Sequence, residues 1–164
     1  MITLYHGTFL SIPKPLAKIG RSNLDFGPGF YLTLIESQAR DWARIVASRR
    51  SRKTTPVLNI YHFEQSKAEK AGIRFKRFES YDTEWLNYVI ECRRGKDISD
   101  DYDIVEGGVA NDNVIDTVED YEKGIITAEQ ALGQLHYKKV NHQICILNQK
   151  VIDNYLTFIE SITL

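Results

Sequence analysis

Cysteine is nearly absent from this sequence. Two thiols, Cys92 and Cys145, stand in 164 residues. That is too few for disulfides to hold such a chain together, so both read as core thiols of a protein kept in a reducing compartment. Neither charge is in excess: 21 Lys+Arg oppose 22 Asp+Glu and leave -1, so no global field recruits nucleic acid or anionic lipid. No apolar run reaches membrane-spanning length, and no basic stretch followed by an apolar one comes after Met1. A cytoplasmic protein without membrane contact is therefore expected. The glycine-lysine phosphate loop, the nucleophile elbow and the dinucleotide fingerprint are all missing, which removes the common kinase, hydrolase and dehydrogenase readings. His62, His136 and His142 have no metal-ligand spacing with one another or with the cysteines, and no metal is expected.

What is present is a 43% hydrophobic chain, enough for one domain over residues 1–164 to bury its own core. Ile2-Thr3-Leu4-Tyr5 reads as a first strand ending at Gly7. A loop follows to Pro28, rich in turn formers (Pro13, Pro15, Gly20, Asn23, Asp25, Gly27), and its length predicts a cover over a ligand. Gly29 to Thr33 reads as a second strand, and Ser37 as the cap of a helix with Ala39, Trp42, Ala43 and Val46 inward. Arg49, Arg50, Arg52 and Lys53 at its exit read as a solvated basic end. Val57 to Phe63 alternates as a strand, and Asp82 opens a helix bearing Trp85, Tyr88, Val89 and Cys92. Tyr102 to Glu106 is a strand closing at Gly107-Gly108, and Asp112, after Asn111, caps a helix with Val114, Val118 and Tyr121. Thr127-Ala128-Glu129-Gln130 is a capping box. Gln143 to Leu147 and Leu156 to Ile159 are the last strands. Varied connections between strands and helices predict a mixed α+β fold with two small sheets flanked by helices.

Chemistry is suggested at two glycine-flanked places. In Tyr5-His6-Gly7-Thr8 an imidazole able to bond a hydroxyl sits beside a glycine that admits close backbone approach, although a lone histidine at a strand end is more often structural. In Asp25-Phe26-Gly27-Pro28-Gly29-Phe30-Tyr31-Leu32-Thr33 two glycines precede adjacent aromatics. One ring should face away from the core and offer a stacking surface, unless the pair merely alternates between core and solvent.

The succession His6-Gly7-Thr8, Gly27-Pro28-Gly29-Phe30-Tyr31-Leu32-Thr33 and Ser37-Gln38-Ala39 resembles the poly(ADP-ribose)-polymerase and diphtheria-toxin branch of the ADP-ribosyltransferases. Asn141-His142-Gln143-Ile144-Cys145-Ile146 matches the position of that branch's third motif, a strand starting with Glu. More narrowly, with Asp103-Ile104-Val105-Glu106-Gly107 and Val109-Ala110-Asn111-Asp112, the chain resembles the small bacterial proteins grouped as DUF3990. The resemblance implies a split sheet with an NAD cleft between its halves. It implies His6 on the adenosine ribose, Gly7 on the nicotinamide carboxamide, Tyr31 stacked on the nicotinamide ring and Gln143 against the nicotinamide ribose, with Thr8, Gly29 and Phe30 completing the NAD site. It also implies a mono-ADP-ribosyltransferase, a toxin paired with a small antitoxin protein, that modifies a macromolecular acceptor.

Gln143 departs from the family's glutamate. An amide keeps hydrogen-bonding capacity without charge, which restricts the expected activity to single transfer or NAD hydrolysis. It also keeps open a rival reading, a module that binds NAD, ADP-ribose or a protein partner without turnover. Glu106 and Asp112 are candidates for a displaced carboxylate, or simply strand-edge and cap residues. A nucleic-acid modifier using Arg49, Arg50, Arg52 and Lys53 is not expected.

Overall fold

The computed structural model describes residues 1–19, 23–96, 101–110, 112–136 and 141–164, the side chains of residues 112 and 113 excepted. Gly20 and Asn111 lie outside the described residues, as does the side chain of Asp112. Two small sheets form. The first orders β1 (Ile2–Thr8), β3 (Val57–Phe63) and β7 (Leu156–Thr163), all antiparallel. The second orders β2 (Phe30–Leu32), β6 (Gln143–Ile146), β5 (Ile104–Gly107) and β4 (Phe75–Arg77), with β4 and β5 parallel.

Strand alternation distributes the core. Leu4, Tyr61 and Phe63 of the first sheet meet Phe30, Leu32, Ile144 and Ile146 of the second in one apolar cluster. Val105 and Cys145, on the other face of the second sheet, join Trp85, Leu86, Val114, Val118 and Leu135 in another. The second sheet is thus buried on both faces, which is why all four residues of β6 are buried without alternation. Its outer layer is α3 (Thr83–Arg93), α4 (Asp112–Glu122) and α5 (Ala128–Leu135). Asp82 caps α3 through Trp85 N–H at 2.8 Å, and the Thr127 and Gln130 capping box closes α5. Both caps match the sequence reading.

The helix α1 (Glu36–Arg50) packs on β1 and differs from expectation. It starts at Glu36 with Ile35 as its cap residue and no side-chain cap bond, so Ser37 lies inside the first turn. Its buried face is Ala39, Ala43 and Ala47, and Trp42 is 49% exposed. The cause is Gly7. A Cβ there would lie 1.9 Å from the Ala39 carbonyl oxygen, so helix and strand approach to a distance that only small residues tolerate. Three short elements absent from the sequence reading complete the fold: β4, α2 (Gln65–Lys70) and α6 (Gln149–Tyr155). Asp112 is the first residue of α4. No described helix is long and apolar enough to cross a membrane.

Candidate functional site

The two sheets touch through one bridge. Tyr5 of β1 and Thr33, just after β2, exchange both backbone hydrogen bonds at 2.9 Å. Two residues further along that antiparallel register, Gly7 would face Tyr31 as the next hydrogen-bonded pair. The strands part instead. Because backbone groups alternate along a strand, the N–H and C=O of Gly7 leave on the same edge as those of Tyr5, away from β3.

On the opposite lip the Tyr31 carbonyl accepts a hydrogen bond from His6 Nδ1 at 2.7 Å. A carbonyl can only accept, so Nδ1 carries the proton and Nε2 of the neutral ring remains an acceptor. The imidazole also packs against Phe30, with ring centroids 4.7 Å apart. Burial holds the His6 pKa below its ordinary value, and the Tyr31 bond opposes this only in part. The seam therefore sets a neutral imidazole beside the backbone of Gly7.

Tyr31 is tied down as well. Its hydroxyl donates to Gly27 O at 2.7 Å and accepts from Phe26 N–H at 3.0 Å, which fixes the glycine-rich turn against β2. Burial pushes the phenol well above its ordinary pKa. Phe30 is 6% exposed and meets Tyr61 edge-on, so its ring belongs to the core and not to the split. Gly29 has a packing role, since a Cβ there would lie 2.3 Å from Cys145 Sγ. Thr8 is the half-buried last residue of β1, opposite Val57.

Gln143 opens β6. Tyr31 pairs with Cys145, and Gln143, two residues before Cys145, projects from the same face of the sheet as Tyr31. Its amide lies 3.4 Å from Asp25 Oδ2 and 3.4 Å from Gly108 O. Asp25 was legible only as a turn former. It is 9% exposed, accepts from Arg93 Nε at 2.9 Å and Nη2 at 2.7 Å, and accepts the Ala110 N–H at 2.9 Å.

The loop expected to cover a ligand is anchored at both ends. Asn59, fully buried, accepts from Ile12 N–H and donates to Leu10 O. Tyr61 donates to Ile12 O, and Gln149 holds Ala17 N–H and Pro15 O. Beyond it, Asp25 and the fully buried Phe26 fix the return to β2. Its described residues form part of the wall.

A cavity of about 220 Å³ opens at the same end of the second sheet, lined by Arg77, Glu106, Gly108, Asn141 and His142 among others. Neither His6 nor Tyr31 lines it. Glu106, a candidate carboxylate from sequence, accepts from His142 Nε2 at 2.9 Å and Arg77 Nε at 3.1 Å, and its pKa is lowered, first by His142 and then by Arg77. His142 Nδ1 in turn accepts the Leu34 N–H at 3.3 Å. Both oxygens and both ring nitrogens are thereby engaged, and the cluster reads as a brace at the strand ends. Among the described residues no group of three or more His, Cys, Asp or Glu side chains could hold a metal. Cys92 and Cys145 are both buried free thiols, with pKa values raised by burial.

The chain belongs to the family described as "Protein of unknown function (DUF3990)", whose family model matches residues 2–158. No curated protein and no solved structure matches it.

Proposed function

We propose that the chain is an NAD-dependent mono-ADP-ribosyltransferase that holds NAD in the split between its two sheets. The observation that carries this reading is the seam itself. Where strand pairing would join Gly7 to Tyr31, His6 takes the Tyr31 carbonyl, and the N–H and C=O of Gly7 lie on the edge of β1 turned away from β3. Adjacent donor and acceptor groups on one backbone edge match the oxygen and amino group of a carboxamide. His6 Nε2 can accept from a ribose hydroxyl, and Gln143, on the same face as Tyr31, can accept from another. In this reading the Tyr31 ring would stack on a flat cationic heterocycle.

Transfer breaks the bond between ribose C1′ and the nicotinamide nitrogen and forms one from C1′ to a nucleophilic atom of the acceptor, whose proton passes to solvent. With water as acceptor the same site hydrolyses NAD. This chain's residues contribute orientation and exclusion of water. The charge that a carboxylate at position 143 would set against the developing oxocarbenium ion is absent, so turnover is slow and limited to a single transfer. The resemblance supports a macromolecular acceptor and a toxin's role, checked by a neighbouring small antitoxin.

Gln143 favours a second reading, an NAD or ADP-ribose binding module without turnover. Nicotinamide release from NAD by the purified protein separates the two. Release that disappears in His6→Ala and Tyr31→Ala supports the transferase. NAD binding by a folded protein that releases no nicotinamide supports the module.

A further inference from the structure

In the NAD reading Gln143 stands where the resembling transferases carry a glutamate, and Asp25 gives a local reason for the amide. The Asp25 carboxylate is buried and fixed from three sides: Arg93 Nε and Nη2 on Oδ1 at 2.9 and 2.7 Å, Ala110 N–H on Oδ2 at 2.9 Å, and Gln143 Nε2 on Oδ2 at 3.4 Å. A glutamate at position 143 would set a second carboxylate at that separation. Two carboxylates so close cannot both ionise. An amide fits because it turns a donor toward Asp25.

The orientation of that amide follows from its neighbours. Asp25 Oδ2 and Gly108 O, each 3.4 Å from Nε2, only accept hydrogen bonds. The amino limb of Gln143 must therefore face them. Its carbonyl limb, Oε1, is the one left to accept from a ligand, as one oxygen of a glutamate would. Swapping the two limbs would set a lone-pair-bearing oxygen against two acceptors.

We infer that Asp25 is a positioning residue for Gln143. Together with Gly108 O it takes the amino limb of the amide and so presents Oε1 to a ribose hydroxyl in the split. This rests on the NAD reading above and extends it to a residue that the resemblance does not include. Asp25 acts through Gln143, while Arg93 keeps its charge compensated in the buried site.

The test is the NAD dissociation constant, by titration calorimetry, of the wild type, Asp25→Asn, Gln143→Glu and the double variant, with the KM and kcat of nicotinamide release beside it. In Asp25→Asn the two Arg93 bonds keep the remaining oxygen at the Oδ1 place, the new amide nitrogen faces the amino limb of Gln143, and the Gln143 orientation is lost. In Gln143→Glu two carboxylates oppose each other. Each single substitution is expected to weaken NAD binding by about tenfold, the scale of one misdirected hydrogen bond, and to raise KM more than it lowers kcat. The double variant again sets a donor against an acceptor, and is expected to bind NAD more tightly than either single variant.

Failure of the parent reading is visible in the wild type alone, as an absence of NAD binding, and takes this inference with it. If wild type binds NAD, the inference is overturned by multiplicative losses that leave the double variant weakest, or by an Asp25→Asn protein that melts lower yet keeps its NAD affinity. Should Asp25→Asn fail to fold, Gln143→Glu against the double variant still reads the pairing. A double variant no tighter than Gln143→Glu overturns it.

Discussion

His6 Nδ1 donates to the Tyr31 carbonyl at 2.7 Å, and this one side-chain bond stands where the ladder of the Tyr5 and Thr33 bridge would have continued. A backbone acceptor at the lip of a split is satisfied without closing the split. His6→Ala removes the donor, and the expected loss of stability is about 1–2 kcal/mol by denaturant unfolding. The pH dependence has a definite sign. Because burial lowers the folded-state pKa of His6 from 6.5, its contribution is fully present above about pH 6.5. As pH falls through the lower folded value the ring must take up charge in its buried place, so the stability advantage of wild type over His6→Ala should shrink below that range.

Gly7→Ala should be far more damaging than its size suggests. The added methyl meets the Ala39 carbonyl oxygen at 1.9 Å, and α1 must move off β1. The expected loss is about 3 kcal/mol or more in unfolding free energy, at the upper end of overpacking. Gly133→Ala in α5 is the control, since nothing lies within 4 Å of its Cβ. It should stabilise by about 0.5–1 kcal/mol through helix propensity.

Tyr31→Phe separates the ring from its hydroxyl. Loss of the bonds to Gly27 O and Phe26 N–H is expected to lower stability by about 1–2 kcal/mol. NAD affinity should remain within about threefold if stacking is the ring's contribution. Tyr31→Ala should lose both. Calorimetric titration with NAD beside thermal unfolding distinguishes the two variants.

Asp103 supplies an acid-sensitive brace. It accepts from Arg74 N–H at 2.9 Å, Arg74 Nε at 3.1 Å and Asn148 Nδ2 at 2.8 Å, and its pKa is lowered from 3.8 to about 2, chiefly by Arg74. A depressed carboxylate stabilises above its unfolded pKa and stops doing so as pH falls through the folded one. Asp103→Asn is therefore expected to cost about 1–2 kcal/mol at neutral pH, moderated by the half-exposed Arg74. The difference from wild type should vanish between pH 4 and 2 in acid-unfolding curves.

The sequence made legible whatever depends on neighbours in the chain. The strand over Val57 to Phe63, the Asp82 cap and the Thr127 box rest on local patterns, and each is found in place. The short elements escaped because they carry little pattern: α2 buries only Ala68, β4 spans three residues, and α6 runs into β7 without a break. Trp42 was misplaced because helical spacing ranks large apolar residues inward, whereas contact with Gly7 demands alanines. Asp25 was hidden for another reason. Its partner Arg93 lies 68 positions away, and only the fold turns a loop aspartate into a buried anchor. His6, Tyr31 and Gln143 were readable as candidates, but the bond from His6 to the Tyr31 carbonyl was not, since it depends on where two sheets part.

An NAD site at the seam is tested most plainly by the melting temperature of the wild-type protein and of His6→Ala across a series of NAD concentrations. A ligand held by the folded state raises it with concentration by mass action. Such a rise is expected for wild type and a much smaller one for His6→Ala at concentrations where the variant is still folded. A wild-type melting temperature indifferent to NAD, or an equal rise in both proteins, would contradict an NAD site at the seam.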